Sequence, residues 1–89
     1  MQMHMVIHGQ VQGVFFRSHA KEVADRLGLV GWVRNNSDGS VKVLAEGPKG
    51  KLEKFIKWCQ VGPSGAQVEK VDVDWYQRSG EFSDFEILR

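Results

Sequence analysis

Residues 29–47 have the sequence LVGWVRNNSDGSVKVLAEG, and this stretch decides the predicted fold. Two strand-like runs, residues 29–36 and 40–47, flank the tripeptide Ser37-Asp38-Gly39. An Asp-Gly pair between two such runs is a strong hairpin signal, because both residues tolerate the positive φ that tight turns require. The centre of the chain is therefore predicted to form two neighbouring strands.

A helix is predicted on each side of this hairpin, because apolar residues recur there at helical spacing with charged residues on the other face. The apolar face of the first helix comprises Ala20, Val23, Ala24 and Leu27. The apolar face of the second comprises Leu52, Phe55, Ile56 and Cys59. Gly28 ends the first pattern, and Gly62 with Pro63 ends the second. Each helix is apolar on one side only, so each is expected to cover a sheet.

Alternating apolar and polar residues predict further strands toward both ends of the chain. The apolar positions of the first strand are Met3, Met5 and Ile7, and those of the fourth are Val71, Val73 and Trp75. Val68 is out of phase with the fourth strand, which indicates a late start or a bulge. Phe85 and Ile87 indicate a short fifth strand.

The resulting order β-α-β-β-α-β-β predicts an α+β protein with the ferredoxin-like split βαβ arrangement. We expect an antiparallel sheet of four or five strands with both helices on one face. A chain of 89 residues is too short for two separate cores, so residues 1–89 are predicted to form a single domain.

The composition excludes several functional classes. A net charge of +1, from 12 Lys and Arg against 11 Asp and Glu, provides no broad surface for nucleic acid or an anionic membrane. No apolar run approaches the roughly 20 residues of a membrane span, and the N-terminus is too polar for a signal peptide. We therefore expect a cytoplasmic monomer that binds neither nucleic acid nor a membrane.

The connector GQVQGVFFRSHA, residues 9–20, joins the first strand to the first helix and combines glycines, phenylalanines and an arginine. A helix N-terminus offers unpaired N–H groups and the positive end of the helix dipole, so this connector is suited to hold an oxyanion. Gly13 is expected to adopt a positive φ or to approach the ligand closely, so that the amides from Gln12 to Arg17 can point inward. The Arg17 guanidinium suits bidentate contact with a phosphoryl group.

Apolar anchors and structural alternatives accompany this anion-site hypothesis. Val14 and one of the two phenylalanines, Phe15 or Phe16, are expected to hold the loop in the core. A purely structural interpretation remains open, in which Gly13 only shapes a turn and Arg17 is solvated at the surface.

The pair Asn35 and Asn36 ends the first hairpin strand and also has two interpretations. Both residues are common in hairpins before an Asp-Gly turn. An amide beside an anion site could instead orient a water molecule, because it donates and accepts hydrogen bonds at once.

The remaining reactive residues give no catalytic pattern. His4, His8 and His19 have no Ser, Asp or Cys partner placed to form a triad, so they are interpreted as structural or surface residues. Cys59 lies on an apolar helix face, where a buried inert thiol is expected. No Cys/His spacing is typical of a metal site, and no metal or cofactor is predicted.

Four segments resemble the acylphosphatase family in their order and spacing, over essentially the whole chain: GQVQGVFFR, GLVGWVRNNSDGSV, AEG and GPSGAQVEKV. Without the longer N-terminal extension of the vertebrate enzymes, the chain looks like the compact prokaryotic type. The resemblance implies hydrolysis of the carboxyl-phosphate anhydride of small acyl phosphates to a carboxylate and inorganic phosphate, with no metal or organic cofactor.

The resemblance also assigns roles to particular residues. Arg17 matches the family's phosphate-binding arginine, and Asn35 matches its water-orienting asparagine. The segment that matches the phosphate-cradling loop comprises Gln12, Gly13, Val14, Phe15 and Phe16. Because such a loop suits a phosphoryl dianion, inorganic phosphate or sulfate is expected to compete with the substrate.

Three rival functions share features of this sequence. An RNA-recognition domain has the same element order but stacks bases on aromatic residues of two central strands, and MHMVIHG and SVKVLAEG contain none. A ferredoxin-like metal chaperone would need Cys-x-x-Cys in the first loop, and this loop contains no cysteine. A phosphate or carbamoyl-phosphate binding module of a larger system stays open, because only an assay with free substrate separates it from an enzyme.

Overall fold

The computed structural model describes residues 1–88, and within them the elements follow the predicted order. The strands are β1 (Gln2–Gln10), β2 (Val30–Asn35), β3 (Val41–Glu46), β4 (Gln67–Tyr76) and β5 (Phe85–Ile87). The helices are α1 (Phe16–Arg26) and α2 (Lys49–Val61). In the described part of the chain, neither helix has the length and apolar character that a membrane crossing requires. The ferredoxin-like α+β fold is confirmed.

The sheet has the strand order β4-β1-β3-β2-β5. β1 pairs antiparallel with both β3 and β4, and β2 pairs antiparallel with β3. The N–H of Asn36 donates to the carbonyl of Ser40 at 2.8 Å and closes the turn between β2 and β3. The predicted hairpin is therefore confirmed.

The prediction of a purely antiparallel sheet is wrong at one edge. β5 pairs in parallel with β2, with Gly31 opposite Phe85. The reason lies in the directions of the other strands. β1 and β2 are both antiparallel to β3 and so run the same way, whereas β4 runs against β1. Residues 77–84 lead from the end of β4 to the far edge and return the chain antiparallel to β4, so β5 runs with β2.

The core lies between the two helices and one face of the sheet. Alternate residues of β1 are fully buried, as predicted, and these are Met3, Met5 and Ile7. α1 contributes Phe16, Ala20 and Ala24, while α2 contributes Leu52, Phe55 and Cys59. The predicted burial of Cys59 is confirmed, and burial raises the pKa of its thiol, which disfavours the reactive thiolate.

β4 carries a bulge where the apolar pattern of the sequence shifts phase. His8 pairs with Lys70 and Gly9 pairs with Val68, which leaves Glu69 as the extra residue. Gly9 has a φ of +127°, and a Cβ there would overlap the backbone oxygen of Gln67. Glycine is therefore required at the point where β1 passes into the connector.

A buried carboxylate fixes the link between β4 and β5. Glu46 is 1% exposed. It accepts hydrogen bonds from the N–H and Oγ of Ser79 at 2.8 and 2.6 Å, from the N–H of Gly80 at 3.1 Å, and from Nε2 of Gln2 at 2.7 Å. Burial raises the pKa of this carboxyl, but the hydrogen bonds lower it by more, and the resulting pKa is about 2.

Because of this carboxylate, we expect the protein to become less stable in acid. Because the folded pKa of about 2 lies below the usual 4.5, the stabilisation is complete above about pH 5 and is lost as the pH falls toward 2. Glu46→Gln should lower the free energy of unfolding at neutral pH by about 3 kcal/mol and flatten its acid dependence. Urea unfolding across this pH range measures both effects.

Glu22→Gln is the matched control, because Glu22 is exposed on α1. It should unfold with the same pH dependence as the natural protein. An unchanged acid profile in the Glu46→Gln protein would contradict the role of Glu46.

Candidate active site

The connector and the end of β2 meet at a cavity of about 300 Å³. Its lining residues are Val11, Gly13, Phe15, Phe16, Arg17, Ser18, Asn35 and Ile87. Arg17 and Asn35 come from separate parts of the sequence, and the fold brings them to one cavity. Arg17 is the only charged residue in that lining, so the cavity favours an anion.

The N-terminus of α1 opens at this cavity with its backbone donors free. α1 begins at Phe16 with no side-chain cap and no acidic residue in its first turn. Within residues 1–88, the backbone N–H groups of residues 12–18 donate no hydrogen bond. Free N–H groups at the positive end of a helix form a ready anion site.

The loop before α1 has two residues with positive φ. Gly13 has a φ of 76°, which confirms the predicted backbone conformation. Phe15 has a φ of 58° and a ψ of 27°, and it is the only non-glycine residue with positive φ in the described chain. Its carbonyl accepts hydrogen bonds from the N–H of His19 at 3.1 Å and from Nδ1 of His19 at 2.9 Å. These contacts hold a conformation that is otherwise disfavoured for a side chain.

Phe16 and not Phe15 anchors the loop. Phe16 is 2% exposed, and its ring centroid lies 5.4 Å from that of Trp58 on α2. Val14 is partly buried against the same core, as predicted. Phe15 is 76% exposed. The structure thus decides the choice that the sequence left open: Phe16 lies in the core and Phe15 is exposed.

Gln12 ties the loop to the hairpin through its side chain. Its Nε2 donates to the carbonyl of Asn36 at 2.8 Å and to the carbonyl of Ser40 at 2.9 Å. Neither Gln12 nor Val14 is among the residues that line the cavity. The amide side chain therefore sets the distance between the loop and the end of β2, a role that the sequence does not reveal.

Arg17 is half-buried and is positioned by the chain that follows β5. Its Nη1 donates to the carbonyl of Leu88 at 3.1 Å. It forms no ion pair with a side chain of residues 1–88. The guanidinium thus has no carboxylate partner among the described residues, and its other N–H groups donate no hydrogen bond there.

Asn35 presents an unpaired acceptor beside Arg17. Its Oδ1 is buried and has no hydrogen-bond partner in the described chain. A buried acceptor without a partner costs about 1–3 kcal/mol and is uncommon in folded proteins. Asn36 instead contributes a side-chain hydrogen bond to the hairpin turn: its Nδ2 donates to Oγ of Ser40 at 2.9 Å. The two adjacent asparagines therefore differ in their surroundings: Asn36 bonds within the hairpin, and Asn35 lines the cavity.

The other candidate residues lie elsewhere. Nε2 of His4 is 2.7 Å from Oε1 of Gln2, and Nε2 of His8 is 3.1 Å from Oδ2 of Asp72. None of the three histidines lines the cavity. Across residues 1–88, no group of three or more His, Cys, Asp or Glu side chains is placed to hold a metal ion.

The chain is similar to known proteins over almost its whole length. A family model described as Acylphosphatase matches residues 3–87. The acylphosphatase of Pyrobaculum islandicum is 56% identical over 86 residues, which cover 96% of this chain and 90% of that protein.

Two solved structures extend this comparison. The crystal structure of acylphosphatase from Bacillus subtilis matches with a TM-score of 0.95 at 34% identity, over 99% of this chain and 98% of that chain. A crystal structure of full-length HypF, in its phosphate- and nucleotide-bound form, matches with a TM-score of 0.88 at 32% identity. That match covers 99% of this chain but 12% of HypF.

Proposed function

Because the chain belongs to the acylphosphatase family and hydrolyses acyl phosphates, we propose that Arg17, Asn35 and the amides of residues 12–17 perform the reaction. The main support is the shared cavity, which is lined by a guanidinium without an ion pair, by unpaired backbone donors and by Asn35, whose buried Oδ1 has no partner in the described chain. We further propose that the enzyme acts as a monomer, because one chain supplies this whole set. A cytoplasmic location stays a prediction from the sequence.

The phosphoryl group of the substrate binds at the N-terminus of α1. Its oxygens accept hydrogen bonds from the loop amides and from the guanidinium of Arg17. The contact of Nη1 with Leu88 holds the guanidinium in place before the substrate arrives. Binding therefore requires little rearrangement of this side chain, which favours catalysis.

Asn35 orients the water that attacks phosphorus. Its Oδ1 accepts a hydrogen bond from that water, which forms the new P–O bond as the bond between phosphorus and the acyl oxygen breaks. The acyl group leaves as a carboxylate. No carboxylate or imidazole of the described chain lines the cavity, so a proton of the water passes to a phosphoryl oxygen. The products are the carboxylate and inorganic phosphate.

This small set of groups is sufficient because acyl phosphates are already activated. The leaving carboxylate is a weak base and needs little help from a general acid. Positioning and electrostatic stabilisation of the phosphoryl oxygens can then supply most of the rate enhancement.

We propose that the reaction is independent of metal ions. The positive charge that a metal would supply at the phosphoryl oxygens comes from Arg17 and the helix N-terminus. Treatment with EDTA followed by desalting should therefore leave the hydrolysis rate unchanged. A large loss of rate that added Mg²⁺ or Zn²⁺ restores would overturn this proposal.

Inorganic phosphate should inhibit competitively, because it presents the same oxygens to the same donors as the substrate. Phosphate at tens of millimolar should raise the apparent KM and leave kcat unchanged. Sodium chloride at matched ionic strength is the control for screening of the Arg17 charge. A rate that phosphate leaves unaltered would contradict the assignment of the loop as the anion site.

Turnover of benzoyl phosphate tests the proposed function as a whole. The enzyme should release benzoate and phosphate in equal amounts at a rate far above the spontaneous one. Phosphate binding without turnover of any acyl phosphate would instead identify the binding module that the sequence left open.

A further inference from the structure

Phe15 combines an exposed ring with a disfavoured backbone conformation. The residue is 76% exposed, the largest value among the large hydrophobic residues of the described chain. Its φ of 58° and ψ of 27° lie in the left-handed region, which favours glycine or asparagine. Neither core packing nor backbone geometry therefore explains a phenylalanine here. Such conformations concentrate at functional sites.

The proposed reaction determines where the acyl group lies in the cavity. Water held by Asn35 attacks phosphorus from one side, so the acyl oxygen leaves from the opposite side. The Oδ1 atom of Asn35 is buried. The acyl group consequently points away from the buried end of the cavity and toward its exposed rim.

Three lining residues are exposed and form this rim: Gly13, Phe15 and Ser18. Gly13 has no side chain, and Ser18 has a small hydroxyl. Phe15 is therefore the only rim residue with a large surface for the acyl group. An aromatic ring gains contact energy from another ring or from an apolar chain, and it gains little from an acetyl methyl group.

We propose that Phe15 determines the acyl specificity of this enzyme. Its ring contacts the acyl group, and acyl phosphates with an aryl or extended apolar acyl group are preferred over acetyl phosphate. This inference rests on the proposed function, because it takes the position of the acyl group from the in-line reaction at Arg17 and Asn35.

The test compares benzoyl phosphate with acetyl phosphate in the Phe15→Ala and Phe15→Gly proteins. The ratio of their kcat/KM values should fall roughly three- to ten-fold, the range expected for one lost aromatic contact. The loss should appear mainly in KM for benzoyl phosphate, because the contact exists in both the ground state and the transition state. The inhibition constant for phosphate should move less than this ratio, since phosphate has no acyl group.

The Phe15→Gly variant separates the loss of the ring from distortion of the loop, because glycine adopts the left-handed backbone without strain. Val61→Ala is the matched control, since Val61 is 73% exposed but does not line the cavity. It should keep the natural ratio.

Two results would overturn the role of Phe15 while leaving the proposed function intact. One is an unchanged ratio in both Phe15 variants, and the other is a parallel loss for the two substrates. Absence of turnover of either substrate by the natural protein would overturn the proposed function itself.

Discussion

Arg17→Ala should lower kcat/KM for benzoyl phosphate by roughly a thousand-fold, the scale on which a phosphoryl-binding arginine contributes to catalysis. The guanidinium contacts the phosphoryl group in both the ground state and the transition state. KM should therefore rise and kcat should fall. Inhibition by inorganic phosphate should weaken in parallel. Steady-state kinetics with and without phosphate measures all three effects.

Arg17→Lys should recover little of this loss. A lysine ammonium is a point charge and lacks the planar fork that contacts two phosphoryl oxygens at once. It also cannot reproduce the geometry that the carbonyl of Leu88 imposes on Nη1. Arg26→Ala is the matched control, because Arg26 lies exposed on the same helix and does not line the cavity. An Arg17→Ala protein that phosphate still inhibits as strongly would contradict the binding role.

Asn35→Ala should differ from Arg17→Ala in its kinetics. Its kcat should fall roughly 10²-fold, whereas its KM should change little. The side chain orients water and does not hold the phosphoryl group, so substrate binding survives its removal. Stability should be preserved, because Oδ1 has no hydrogen-bond partner in the described chain that could be lost.

Asn36→Ala is the matched control for this variant. It removes the hydrogen bond to Oγ of Ser40 in the adjacent turn and leaves the cavity lining intact. Its thermal stability should fall, whereas its kcat should stay close to that of the natural protein. Circular dichroism melting beside turnover distinguishes the two asparagines.

Local patterns were sufficient for most of the fold. The alternation of Met3, Met5 and Ile7 and the spacing of Leu52, Phe55 and Cys59 reflect which face of each element is buried. The phase shift at Val68 even indicated the bulge in β4. The direction of β5 was not accessible in this way, because it depends on the path of residues 77–84 around the sheet. That path is fixed by Glu46, whose partners lie 33 to 44 residues away.

Residue types and spacing could suggest members of the site, but only the family resemblance assigned a separate role to each. Arg17 was expected from the chemistry of the connector, the resemblance singled out Asn35 from the asparagine pair, and the fold brings both to one cavity. Asn35 and Asn36 differ because only the Asn36 side chain donates a hydrogen bond to Ser40. The spacing of residues in the sequence does not predict which of the two amides makes this contact. Similarly, the contacts of Gln12 span 24 and 28 residues, so they exist only once the hairpin is folded.

The most direct test is to measure both phosphate affinity and kcat on folded Asn35→Ala protein. It asks whether Asn35 orients the water while Arg17 and the loop amides bind the phosphoryl group. Titration calorimetry should give a phosphate affinity close to that of the natural protein, and turnover of benzoyl phosphate should be roughly 10²-fold slower. A folded Asn35→Ala protein that is fully active would contradict the water-orienting role. Loss of phosphate affinity in that protein would equally contradict it, because Arg17 and the loop amides alone should hold the anion.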